Sequence, residues 1–139
     1  MSDDRRRPPS ERRRPALIVS ANPDTVDLYV LSLRSERTAV LSAGSVEEAS
    51  HLLRDRAVSA VVIDVANPAS DWDACRQLAI EAESGLPLIV LTGWIDAGAR
   101  EEAFSIGCAA FVAKPASPAR LRDVLYRTRT GERGIVALP

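Results

Sequence analysis

The chain has 139 residues, a formal net charge of −1 and 46% apolar residues, enough for one compact domain with a real core. No apolar run approaches membrane-spanning length, and the first residues lack the apolar core of a signal peptide, which argues against a membrane or secreted protein. The two cysteines, Cys75 and Cys108, have neither metal-ligand nor disulfide spacing, so a reducing cytoplasm is the expected location.

Residues 1–15 hold six arginines against three acids, leaving twelve basic and sixteen acidic residues in the remainder. This Arg/Pro-rich leader has no apolar residue to bury after Met1 and is expected to be disordered. It carries no interleaved aromatics and no recognition helix, so nucleic acid is not the expected partner. From residue 16 on, apolar β-branched runs predict strands at Ala16–Ser20, Ala39–Ser42, Val58–Asp64, Pro87–Thr92 and Ala109–Ala113. Helix signals fill the gaps between them. Asn22-Pro23 and Ser117-Pro118 each put a capping side chain before a proline at the first helical position, and Ser45 followed by Glu47-Glu48 marks another start. Ser84-Gly85 and Gly107 supply stops for the third and fourth helices. In the last helix Leu121, Val124, Leu125 and Thr128 share one face. Residues 131–139 read as a short C-terminal tail in which Ile135-Val136 can dock on the body.

Strands alternating with helices over short connections imply an α/β fold with a parallel sheet and helices on both faces. The ligand crevice of such a sheet lies outside the carboxyl ends of its strands. Three polar residues end apolar runs at that edge: Asp64, Thr92 and Lys114. Lys114 is the single lysine in a chain with seventeen arginines, a compact charge suited to reaching one oxygen of a phosphoryl or carboxylate group. A carboxylate, a hydroxyl and an ammonium at one crevice suit phosphoryl transfer to the acid, with Asp64 as nucleophile and the other two placed around the outer oxygens. Each residue also has a plainer reading, Asp64 as a loop cap, Thr92 as a β-branched strand residue and Lys114-Pro115 as an exposed turn; their common register favours the site. A hydrolase using Asp64 would need a second acid to activate water, and none is expected at the crevice.

Over residues 16–130 the chain resembles the receiver domain of bacterial two-component response regulators. Val61-Val62-Ile63-Asp64 with Pro68 four residues on is similar to the phosphoacceptor strand and loop. Leu91-Thr92-Gly93 is similar to the switch-hydroxyl segment, and Phe111-Val112-Ala113-Lys114-Pro115 to the segment holding the switch aromatic, Phe111, and the lysine. The resemblance implies a flavodoxin-like three-layer sandwich whose doubly wound, five-stranded parallel sheet has the order 2-1-3-4-5. It implies phosphorylation of Asp64 by a histidine kinase or phosphotransfer protein, with Thr92 and Lys114 contacting the phosphoryl group. A stand-alone receiver would then signal to an unlinked output protein through the fourth helix, fifth strand and fifth helix. Turnover of a separate substrate is not expected.

The resemblance breaks at one place. Where the family has two adjacent acids that hold magnesium, this chain has Ser20 and Ala21. Asp64 and the backbone of Ala66 remain as ligands, with Ser20 reaching through water, so Mg2+ binding is expected to be weak or absent and a resting Asp64–Lys114 salt bridge is favoured. Asp24 is a substitute ligand or, more simply, a first-turn charge on its helix. The alternative reading is therefore a phosphorylation-independent pseudo-receiver binding module. Trp72 and Trp94 are placed near the crevice rim, either gating the phosphodonor, anchoring a partner or packing over a loop. His51 is read as surface or helix packing, not a phosphoryl carrier, and the cysteines as small buried residues.

Overall fold

The structure, a computed structural model, describes residues 14–35, 38–82 and 85–139, so most of the arginine-rich leader and Ser84 lie outside the described residues. Eleven elements follow in order: β1 (Ala16–Val19), α1 (Pro23–Ser35), β2 (Val40–Ala43), α2 (Val46–Asp55), β3 (Ala60–Val65), α3 (Pro68–Glu81), β4 (Leu88–Thr92), α4 (Ala97–Ile106), β5 (Ala110–Ala113), α5 (Pro118–Arg129) and β6 (Ile135–Ala137). All strands pair in parallel, in the order β2-β1-β3-β4-β5-β6.

Every residue of β1, β3, β4 and β5 is buried, which is why their sequences run continuously apolar rather than alternating. The pleat divides them between two cores. Ile18, Val62, Ile89, Leu91 and Val112 pack with Tyr29 and Leu33 of α1 and with Leu121, Val124 and Leu125 of α5. Leu17, Val61, Ile63, Val90 and Phe111 pack on the opposite face with Ala49 of α2, Cys75 and Leu78 of α3, and Ala103 of α4.

The helix boundaries follow the local chemistry. Ser45 accepts from the Glu48 amide and Ser117 from the Arg120 amide, each satisfying one of the donors that a helix start leaves open. Asn22 Oδ1 accepts from the Asp24 amide at the start of α1. Gly107 closes α4 at φ 104°, a left-handed conformation that residues with a Cβ adopt only with strain.

The sheet has six strands where five were expected. Ile135–Ala137, expected as part of a tail, lies along the outer edge of β5 in the register Ala110↔Ile135, Phe111↔Val136, Val112↔Ala137. Gly131 and Gly134, at φ 101° and 72°, turn the chain out of α5 and back onto the sheet. Three arginines secure the return. Arg133 donates to the carbonyls of Thr128 and Gly85; Arg120 donates to the Leu138 carbonyl; Arg127 pairs with Glu132. Ile135 is buried in the core shared by α1 and α5.

Because β6 is anchored by one buried side chain, Ile135→Ala is expected to destabilise the fold by about 2–4 kcal/mol. Val136→Ala, at a 42% exposed position, should cost under about 1 kcal/mol. Urea denaturation of the two variants checks this; a loose tail would make both silent.

Candidate functional site

Asp64, Thr92 and Lys114 are brought to neighbouring positions by β3, β4 and β5, which are adjacent in the sheet. Asp64 is opposite Leu91, Thr92 is opposite both Val65 and Ala113, and the Lys114 amide donates to the Thr92 carbonyl at 2.8 Å. Lys114 is followed by a cis peptide bond to Pro115.

Strand alternation splits this trio. Asp64 follows Val62 and Lys114 follows Val112 on the α1/α5 side of the sheet, whereas Thr92 continues the series Leu88 and Val90 on the α2–α4 side, with Phe111. On the first side, Lys114 Nζ forms an ion pair with Asp64 Oδ1, and Ser20 Oγ donates to Asp64 Oδ2 at 2.7 Å. The Asp64 side chain is 2% exposed and that of Lys114 is 29% exposed. A carboxylate so buried requires a charge partner and donors, and here each oxygen has one. Ser20 is itself fixed, accepting from the Asn22 amide at 3.1 Å.

Thr92 is fully engaged on the other side. Its hydroxyl donates to the Val65 carbonyl at 2.7 Å and accepts from the Trp94 amide at 3.1 Å, so its single proton is committed to the backbone of β3. Phe111 is completely buried. Trp94 is half exposed, and its indole N–H donates to the Ala66 carbonyl at 3.3 Å. With Trp72, Asn67, Asp96 and Glu102 it lines a groove of about 620 Å3 between the starts of α3 and α4. Both tryptophans line this groove rather than the cleft that holds Asp64, and only Trp94 reaches toward that cleft, through the Ala66 carbonyl. His51 is exposed.

Two residues of the site were not anticipated. Asp71, in the first turn of α3, lines the same cleft of about 440 Å3 as Ser20, Asn22 and Asp64, which corrects the expectation that no second acid reaches the crevice. Its Oδ2 accepts the amides of Ala66 and Asn67 at 2.9 and 2.8 Å, so it acts as the brace of the loop after β3. Tyr29 of α1 is the other. Its hydroxyl donates to the Ala116 carbonyl at 2.7 Å, tying α1 to the loop that carries Lys114. Burial raises its hydroxyl pKa, and the charge of Asp64 raises it further. A buried tyrosine among apolar helix positions reads as core from sequence; only its need for a hydroxyl partner hints at more.

Residues 16–126 match the family model for the response regulator receiver domain. Among curated proteins the chain is similar to probable transcriptional regulators named ycf27, 34% identical over 94 residues to that of Guillardia theta and 38% over 93 residues to that of Porphyra purpurea. These matches take in 64% and 63% of this chain but only 36% and 37% of the relatives, so the chain spans little more than a third of their length. Among solved structures, the non-phosphorylated HemR receiver domain of Leptospira biflexa is 26% identical with a TM-score of 0.73, covering 86% of this chain and 97% of that one. The receiver domain of sensor histidine kinase PA1611 from Pseudomonas aeruginosa, described with magnesium in its active-site cleft, is 25% identical with a TM-score of 0.72, covering 85% and 98%. Chemotaxis protein CheY4 of Vibrio cholerae, at 18% identity and a TM-score of 0.75 over 83% and 98%, shares the fold.

The donor set of this cleft does not fit a divalent cation as it stands. Magnesium takes six oxygens in a near-ideal octahedron, usually one or two carboxylates with several waters. Here both oxygens of Asp64, the Ala66 carbonyl and one oxygen of Asp71 already accept hydrogen bonds from the protein. Among the described residues no group of three or more His, Cys, Asp or Glu is placed to hold a metal.

Tyr29→Phe removes one hydrogen bond without a change of shape and strands the Ala116 carbonyl, an expected loss of about 1–2 kcal/mol in urea denaturation. The two cysteines give a pH test. Both are buried, and burial pushes their thiols up to about 12 from an ordinary 9.0. A raised folded-state pKa means their contribution to stability is intact below pH 9 and is lost as pH climbs through 12, because the unfolded thiols release protons first. Thiolate absorbance is expected near pH 9 in urea and only around pH 12 in the folded chain.

Proposed function

From the premise that this chain belongs to the response regulator receiver family, and so to two-component signalling, we propose that Asp64 accepts a phosphoryl group from a histidine kinase or phosphotransfer protein. The observation that carries the reading is the Asp64–Lys114 ion pair at the carboxyl end of β3, with Thr92 one strand away. A carboxylate oxygen of Asp64 attacks phosphorus, the bond to the donor breaks, and the leaving group departs with its electron pair. Lys114 shifts from Oδ1 to an oxygen of the incoming group, so its charge stays compensated throughout. Thr92 supplies a second contact by giving up the Val65 carbonyl.

The signal then passes through the sheet. Phe111 shares the α2–α4 face with Thr92 and lies on the adjacent strand, and it is fully buried, so a displacement of the hydroxyl is felt by a tightly packed aromatic. We assign Phe111 the role of switch aromatic on this ground. The output surface lies over α4, β5 and α5 and reaches a partner protein. β6 covers the outer edge of β5, so it joins this surface with exposed Val136 and Leu138, which line a groove with Arg120, Asp123 and Arg127 of α5. The described helices include none long and apolar enough to cross a membrane.

A second reading is favoured by Ser20, whose bond to Asp64 completes a fully satisfied carboxylate: a pseudo-receiver that binds its partner without phosphorylation. Incubation with acetyl phosphate, with and without magnesium, followed by intact-mass measurement separates the two. The first reading expects one phosphoryl adduct that Asp64→Asn abolishes and Lys114→Met reduces at least about tenfold, by loss of its charge stabilisation. No adduct with either acetyl phosphate or a phosphorylated histidine donor leaves the pseudo-receiver reading.

A further inference from the structure

The atoms that a cation would need in this cleft are held by two side chains, one on each side of the sheet edge. Ser20 donates to Asp64 Oδ2 at 2.7 Å, and Trp94 donates its indole N–H to the Ala66 carbonyl at 3.3 Å. We propose that Ser20 and Trp94 together form a lock that keeps the cleft closed to divalent cations and holds Asp64 in place by hydrogen bonds and Lys114 alone.

The choice of ligand atoms rests on the receiver reading, but the lock follows from this chain's own chemistry. A serine hydroxyl is a donor toward a carboxylate, so where Ser20 stands, Asp64 Oδ2 meets a proton. An acid in that place would instead repel Asp64 and leave two carboxylates in want of a cation. Lys114 already supplies one positive charge to Oδ1, and a divalent ion placed beside it meets that charge at short range. The second acid of the cleft, Asp71, has one oxygen committed to the Ala66 and Asn67 amides, bracing the very loop whose carbonyl Trp94 takes.

The two halves of the lock differ in burial. Ser20 is 4% exposed and is itself held by the Asn22 amide, whereas Trp94 is 52% exposed. Trp94 borders the groove of about 620 Å3 between α3 and α4, which gives its indole room to leave the carbonyl. Ser20 is therefore the buried part of the lock, and Trp94 is its exposed part, acting through the Ala66 carbonyl alone.

Direct binding of Mn2+, followed by electron paramagnetic resonance of the free ion, and of Mg2+, followed by calorimetry, tests this on the full chain without any phosphoryl donor. The wild type is expected to show no saturation up to about 10 mM. Ser20→Asp should tighten Mn2+ binding at least about tenfold by adding a carboxylate ligand, and Trp94→Phe added to it should tighten binding further, by about threefold, by freeing the Ala66 carbonyl. Ser20→Ala, which unlocks Asp64 without adding a ligand, should remain well short of Ser20→Asp. Circular dichroism verifies folding of each variant, and Ser20→Asn stands in with a smaller expected gain if Ser20→Asp does not fold. Submillimolar binding by the wild type overturns the proposal, as does a folded Ser20→Asp or Ser20→Asn with unchanged affinity. A wild type that takes neither cation nor phosphoryl group refutes phosphoryl acceptance and leaves the lock standing; one that takes both refutes the lock alone.

Discussion

A carboxylate at the end of a strand buried on both faces must be paired, and the position of Asp64 sets that requirement for the whole upper edge of the sheet. Its partners come from two other strands. Lys114 follows β5 and Ser20 follows β1, so the register of β1, β3, β4 and β5 has to be right before either can reach it. Leaving a charge of this burial without a partner costs about 3–5 kcal/mol, comparable with a large part of a small domain's net stability. The site thus contributes to the specification of the fold as well as depending on it.

The same pleat that brings Ser20, Asp64 and Lys114 to one side sends Thr92 and Phe111 to the other. The hydroxyl is then tied to the Val65 carbonyl, one residue beyond Asp64, so any movement of Thr92 toward the acid crosses the sheet edge and breaks a backbone contact. This arrangement separates a charged half, held by ion pairing, from an apolar half, held by packing. Tyr29 and Asp71 brace the charged half from outside, one on the loop after Lys114 and one on the loop after Asp64. β6 extends the sheet beyond β5 and, through Arg120, Arg127 and Arg133, gives the arginine bias of the chain a structural use at its C-terminal end.

The layered α/β architecture was legible in the sequence because buried parallel strands leave continuous apolar runs, as in Val61-Val62-Ile63, and because capping pairs such as Ser117-Pro118 mark where helices begin. β6 was not. Three residues, Ile135-Val136-Ala137, carry no period, and a parallel pairing leaves no hairpin turn to announce it. Asp71 was equally hidden: an acid in the first turn of a helix is commonplace, and only the loop geometry turns its carboxylate onto the Ala66 and Asn67 amides.

By itself, the sequence determined the order of the strands' polar endings and the absence of acids at Ser20 and Ala21, because these are properties of residue type and spacing along the chain. It also carried the expectation of an Asp64–Lys114 salt bridge, since with Ser20 and Ala21 in place of acids the opposite charges at one edge of the sheet have few other partners. The tertiary structure alone decided which hydroxyl meets the carboxylate. Ser20, Thr92 and Asp64 all end apolar strands, yet only Ser20 makes the bond, since side chains on a strand alternate between faces and the parity of β1 and β3, not proximity in the strand order, sets which groups touch.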